Sequence, residues 1–267
     1  MKSNLDCIPC FLRQALEASR MVTDDEKTQR EVLNKSMDIL RTTDLSGKKP
    51  PDIGEHIHQT VKEVTGRSDP YQKIKEKQNE DALEIYPDLE ERVDEAEERL
   101  LTAVKIAIAG NVIDLGPGHD IELEEDVEEI LSKELTIDHY DEFKEELEKA
   151  ETIFYLGDNA GEIVFDKLLL REMQDKEIFY FVKGAPKIND AMAIDAKKAG
   201  IDEYAKVDVV GDSSPGTGPE RDSDEFIERM QEADMVISKG QGNYEALSEV
   251  PVNIFFFLKA KCPVIAD

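Results

Sequence analysis

Up to about residue 150, apolar positions recur three and four residues apart, as in Leu89, Val93, Ala96, Leu100, Val104 and Ile108. This is the spacing of helices that bury one face. Pro and Gly cluster at the breaks, and Pro87, inside the run from Tyr71 to Ile108, predicts the end of one helix and the start of the next. Acidic stretches such as Glu90 to Glu98 read as solvated helix faces. Beyond residue 150 the texture changes to short apolar runs rich in Ile, Val and Phe, alternating with amphipathic segments. The runs are Thr152 to Leu156, Ile178 to Val182, Val207 to Val210, Met235 to Ile237 and Asn253 to Leu258, with a further candidate at Pro263 to Ala266. Apart from Asp208 they are apolar nearly throughout, which suits parallel strands covered on both faces. The pattern predicts a helical N-terminal domain over residues 1–150 and a doubly wound, mainly parallel α/β domain over 151–267. No internal repeat or flexible linker interrupts it.

Charge narrows the partners. The chain has 267 residues with 61 acidic against 33 basic side chains, a formal net charge of -28. A nucleic-acid backbone is repelled by such a field. A phosphate monoester is repelled too, so a phosphate-handling site here requires a cation to reverse the local potential. The start, MKSNLDCIPCFLRQAL, lacks the apolar run of an export signal, and no stretch approaches the roughly 20 apolar residues of a membrane helix. The expectation is a cytoplasmic protein without a membrane partner, whose three cysteines are reduced thiols.

In an open α/β sheet, ligands bind beyond the carboxyl ends of the strands. The first apolar run is followed by GDNAGE, with Asp158 and Asn159, and the second by KGAPKIND, with Lys183, Asn189 and Asp190. The third leads into GDSSPGTG, with Asp212, Ser213 and Ser214, and the fourth into SKGQGNYE, with Lys239, Asn243 and Glu245. The first turn excludes a dinucleotide-binding loop, because GDNAGE puts a carboxylate where G-x-G-x-x-G would seat a pyrophosphate. An anion beside a phosphate demands a cation between them. Oxygen ligands from Asp158, Asn159 and Asp190 select a hard divalent ion such as Mg2+ or Mn2+.

Each residue also has a plainer reading. Asp158 and Asn159 before Gly161 make a turn and a helix cap, Asn189 or Asp190 makes another cap, and Lys239 is a surface lysine. What these readings leave unexplained is the concentration on one rim. Cys7 and Cys10 form a C-x-x-C on one helix face, but Cys262 and the four histidines show no matching pair at metal-ligand spacing, so the pair reads as buried thiols. His56 and His58, two apart, do not converge on one ion from a helix.

The chain resembles the damage-control phosphatases of the "domain of unknown function 89" group, in their microbial stand-alone branch. The likeness is carried by CIPCFLRQAL near the start, DPYQKIK at 69–75, AIAGNVIDLG at 107–116, GDNAGEIVFD at 157–166, KGAPKIND at 183–190 and KGQGNYE at 239–245. It spans nearly the whole chain. The resemblance implies a helical part on a Rossmann-like α/β/α part and a divalent-metal phosphatase of sugar phosphates or damaged phosphometabolites, with Mn2+, Mg2+, Co2+ or Ni2+ as cofactor. Carried over by residue, it puts the metal on Asp158, Asn159 and Asp190, Lys239 near the phosphate, and Asn111 at the domain junction facing substrate. Members often run somewhat longer, which adds the expectation of a further C-terminal element.

The expected mechanism has Asp158 or Glu162 as base for an attacking water, with Lys239 and backbone N–H groups around Gly161 holding phosphate oxygens. Lys183, Asp212, Asn243 and Glu245 complete the expected substrate-binding set. An aspartyl-phosphate route is the alternative chemistry. Rival functions are an S-adenosylmethionine-dependent carboxyl methyltransferase, which needs no metal cluster, and a non-catalytic metal- or metabolite-binding protein. The substrate, the oligomeric state and the choice of metal are not legible in the sequence.

Overall fold

The protein is described by a computed structural model over residues 2–112, 123–210 and 224–266. Seven helices come first: α1 Cys7–Val22, α2 Glu26–Thr42, α3 Pro50–Thr65, α4 Gln72–Glu95, α5 Arg99–Val112, α6 Leu123–Ser132 and α7 Tyr140–Lys149. Strands and helices then alternate as β1 Thr152–Leu156, α8 Glu162–Glu172, β2 Glu177–Lys183, α9 Ala193–Ala199, β3 Lys206–Val210, α10 Asp224–Met230, β4 Met235–Lys239, α11 Gln241–Leu247, β5 Ile254–Phe257 and α12 Pro263–Ala266. Among the described residues, no helix is long and apolar enough to cross a membrane.

The five principal apolar runs all form strands, and every pairing is parallel, in the order β3-β2-β1-β4-β5. Two expectations are corrected. Pro263 to Ala266 is a helical turn, with Cys262 O accepting from the N–H groups of Ile265 and Ala266; Pro is at home in a first turn, where its missing N–H is not needed. Pro87 does not divide two helices but lies inside α4, on its exposed face. There the carbonyl of Leu83, which Pro87 leaves without a helical partner, lies on the solvent side of the helix. The break falls instead at Ala96, whose extended backbone (ψ 139) ends α4. The unbroken apolar spacing from Leu89 to Ile108 therefore belongs to two helices.

Successive residues of each strand face opposite sides of the sheet. Ile153, Tyr155, Ile178, Tyr180 and Ile237 pack with α8 (Ile163, Phe165, Leu168), and the same core takes in Leu89 and Val93 of α4, Val104 and Ala107 of α5, and Phe143 of α7. Phe154, Leu156, Phe181 and Val236 face the other way, onto Phe226 and Met230 of α10 and Ala246 and Leu247 of α11. A separate core, with Phe11, Val32, Ile53, Ile57 and Val61, holds α1, α2 and α3 together. The helical stretch is thus shared between two cores, and α4 and α5 are brought directly onto the elements that carry the polar strand ends.

Candidate active site

β1 lies between β2 and β4, and the chain leaves β1 toward β2 and β3 before returning on the other side to β4. Strand order reverses at that point, and the turns beyond β1 and β4 diverge around a crevice. Two glycines permit the close approaches there. Gly240, at φ 82, follows β4, and a Cβ on it would lie 1.9 Å from Asp158 Oδ2. A Cβ on Gly157 would lie 2.6 Å from the hydroxyl of Tyr180. Any side chain at either position collides with the polar centre.

Two loops meet at the front of this crevice. Ala160 N–H donates to Asn189 O at 2.8 Å and Ala191 N–H to Asp158 O at 2.8 Å, so the β1–α8 turn and the β2–α9 loop run antiparallel. Asn159 and Asp190 form the bridge between them. Asp158, Asn159 and Asp190 are all half-buried. Lys183 Nζ is 3.5 Å from Asp190 Oδ2. Just before Asn189, Ile188 has φ 41, a conformation that β-branched residues rarely adopt.

Behind the loops the polar groups are closed off. Glu162 is 2% exposed and Lys239 and Asp166 are not exposed at all. Lys239 Nζ lies 2.6 Å from Asp166 Oδ1 and 2.7 Å from Glu162 Oε1, the latter off the direction of a well-formed hydrogen bond. Asp166 also accepts from Tyr155 Oη at 2.8 Å and Tyr180 Oη at 2.6 Å. Burial alone pulls the Lys239 ammonium down, but its two carboxylates outweigh that and hold its pKa above the ordinary value. Burial, reinforced by the neighbouring carboxylate, pushes both tyrosines well above their usual range, so they remain donors. Two amides join this buried group to the front. Asn111 Nδ2 donates to Asp158 Oδ2 at 3.2 Å and Glu162 Oε2 at 3.2 Å, and Asn159 Nδ2 to the same two oxygens at 2.8 and 3.0 Å.

The other expected residues fall in different places. The expectation that Lys239 meets the phosphate is corrected: with no exposed surface and two carboxylate partners, it stands behind the rim. Gly161 N–H, expected to hold a phosphate oxygen, instead donates to Asn79 Oδ1 at 2.7 Å. Asn243 turns back to donate to Lys239 O at 2.7 Å. Glu245 accepts from Gln241 at 2.8 Å, away from the front loops, and burial raises its pKa. Asp212 lies outside the described residues. The thiols of Cys7, Cys10 and Cys262 are free and half-buried, and burial raises that of Cys7.

Asp166, Tyr155, Tyr180 and Asn79 escaped the sequence reading. Asp166 had a legible signal, since Glu162 and Asp166 are four apart on a helix otherwise built of Ile, Val, Phe and Leu, and two such buried carboxylates require a cation. The tyrosines and Asn79 had none, because nothing local says which surface they meet.

Among the described residues, no three His, Cys, Asp or Glu side chains form a metal cage. The front set of two aspartates and an amide is different in kind: half-buried oxygen-bearing side chains on two loops that the Asn159–Asp190 bridge brings together, of the residue types that hold a hard divalent ion. The residues fit such an ion.

Comparison with known proteins gives a consistent picture. The damage-control phosphatase ARMT1-like domain matches residues 3–267. A damage-control phosphatase of Pyrococcus horikoshii is 37% identical over 271 residues, covering 100% of this chain and 93% of the relative. A damage-control phosphatase of Archaeoglobus fulgidus is 34% identical over 275 residues, covering 100% and 94%. The crystal structure of a DUF89 family protein from Pyrococcus horikoshii superposes with a TM-score of 0.86 at 38% identity, covering 100% of this chain and 94% of that one.

Proposed function

Because the chain belongs to the damage-control phosphatase ARMT1-like domain family, we propose that it is a divalent-metal-dependent phosphatase of small phosphorylated metabolites, with the ion held by Asp158, Asn159 and Asp190. The observation that carries this reading is the pairing of the two loops, which sets an aspartate, an amide and a second aspartate side by side at the strand-order reversal. A bound Mn2+, Mg2+, Co2+ or Ni2+ would neutralise phosphoryl oxygens that a chain of net charge -28 otherwise repels.

The chain's own side chains divide the remaining work. Asp158 is the base for the attacking water, since it keeps some exposed surface, whereas Glu162 is enclosed and committed to Lys239. Asn111 donates to both carboxylates and keeps them apart without a like-charge clash. Lys183, at the edge of the rim beside Asp190, brings positive charge toward the substrate's phosphate oxygens. Lys239 acts from behind, fixing Glu162 and Asp166. Sugar phosphates and damaged phosphometabolites are the substrate classes.

The test is a panel of phosphate monoesters assayed with each metal and with chelator, on the wild type and on Asp158→Asn and Asp190→Asn. Metal-stimulated hydrolysis that falls at least about 100-fold in both variants supports the reading. Hydrolysis that is indifferent to chelation, or undiminished in either variant, overturns it. Methyl transfer from S-adenosylmethionine that survives complete chelation would establish the methyltransferase instead.

A further inference from the structure

Asn79 lies within α4, on neither of the loops that carry the rim, and is 1% exposed. Both ends of its amide are engaged. Oδ1 accepts from Gly161 N–H at 2.7 Å, in the turn that bears Asp158 and Asn159. Nδ2 donates to Asp195 Oδ1 at 2.9 Å, and the other oxygen of Asp195 accepts from Met192 N–H at 3.0 Å, two residues beyond Asp190. One turn earlier on the same face of α4, Lys75 is 2% exposed. Its Nζ is 2.9 Å from Asp69, 4.0 Å from Asp195 and 3.4 Å from Met192 Sδ. A single helix thus reaches both loops through buried polar contacts.

A buried amide satisfied at both ends fixes position well, because shifting either partner leaves a buried donor or acceptor without a mate. The two loops come from different strands, and their direct link is the short antiparallel bridge at Asn159 and Asp190. We propose that Asn79, acting with Asp195, is a positioning residue of the cation site. It sets the separation of the Asp158–Asn159 turn from the Asp190 loop and thereby the affinity for the ion, touching neither ion nor substrate. The inference rests on reading that rim as a divalent-cation site.

The experiment exchanges the two side chains. Asn79→Asp keeps an acceptor for Gly161 N–H but sets a carboxylate against Asp195. Asp195→Asn keeps an acceptor for Met192 N–H but sets amide against amide. The double variant N79D/D195N restores a donor facing an acceptor and conserves net charge. Mn2+ affinity is measured directly on the purified full chain, by the electron paramagnetic resonance signal of free Mn2+, beside the thermal midpoint of each variant. Each single variant should weaken Mn2+ binding about 10- to 100-fold, as loss of an outer partner of a metal site does, and the double variant should recover to within a few fold. Single variants with lowered thermal midpoints but wild-type Mn2+ affinity would show a merely structural contact and overturn the proposal. If N79D does not fold, D195N against the double variant makes the same comparison. An Asp190→Ala control separates the two claims. Undiminished Mn2+ binding in that control, or none in the wild type, overturns the cation site and the inference with it, whereas binding lost in the control but kept in both single variants overturns the positioning role alone.

Discussion

Lys239 Nζ lies 2.6 Å from Asp166 Oδ1, with neither side chain exposed, so the last residue of β4 is pinned to the middle of α8 across β1. Tyr155 from β1 and Tyr180 from β2 donate to the same carboxylate, their rings stacked 5.0 Å apart. The contact sits behind the rim and is joined to it through Glu162, which lies beside Lys239 and accepts from Asn159.

Replacing Lys239 with Met removes the ammonium that faces both Glu162 and Asp166 and leaves two buried carboxylates without that counter-charge. The expected loss is about 3–5 kcal/mol of unfolding free energy, since breaking a buried pair costs far more than the pair contributes. Urea unfolding measures it. A loss under about 1 kcal/mol would mean that Lys239 does not bear on the buried carboxylates.

Gly240→Ala places a Cβ at the position now taken by the Asp158 carboxylate, in a backbone conformation of φ 82. Strain in this conformation (φ 82, ψ 156), which only glycine adopts readily, costs about 1–3 kcal/mol, but the main effect is displacement of Asp158. Metal-stimulated turnover should fall about 100-fold or more while the circular dichroism spectrum stays native. Wild-type turnover in this variant would show that the Asp158 position does not matter.

Asn111→Asp turns a donor shared by Asp158 and Glu162 into a third carboxylate facing them. Without metal the variant should unfold at lower urea than the wild type. Added Mn2+ should restore more stability to it than to the wild type, because the extra charge is then compensated. Equal Mn2+ stabilisation of the two proteins would separate Asn111 from the site.

His58 hydrogen-bonds Tyr71 Oη through Nδ1 at 2.8 Å, and its pKa is pushed down to about 3, first by burial and then by Lys187 and Lys62, against an opposing pull from Asp190. A folded pKa below the ordinary 6.5 means that the unfolded chain takes up a proton the folded chain refuses. This contribution to stability is complete above pH 6.5 and is lost as pH falls from there toward 3, by up to about 1.4 kcal/mol per pH unit. His58→Leu/Tyr71→Phe removes both hydrogen-bonding partners together. Between pH 7 and 4.5 the wild type should lose about 2–3 kcal/mol more than this variant in urea unfolding. Parallel losses would place the acid sensitivity elsewhere.

The sequence by itself determined the five strands, their parallel covering and the polar residues that follow them, because period and turn chemistry are local: a run such as Ile178 to Val182 is apolar whatever it meets. It also determined the family resemblance, whose motifs lie along nearly the whole chain. Only the tertiary structure decided that Lys239 points into the fold, that Asn79 occupies the Gly161 N–H, that Pro87 rides on the exposed side of a continuous helix, and that α4 and α5 share the core of the sheet. These are choices of partner between residues as far apart as Asn79 and Asp195, and they follow from burying charge and amide groups only where a complementary group arrives from another element. No local spacing encodes that arrival.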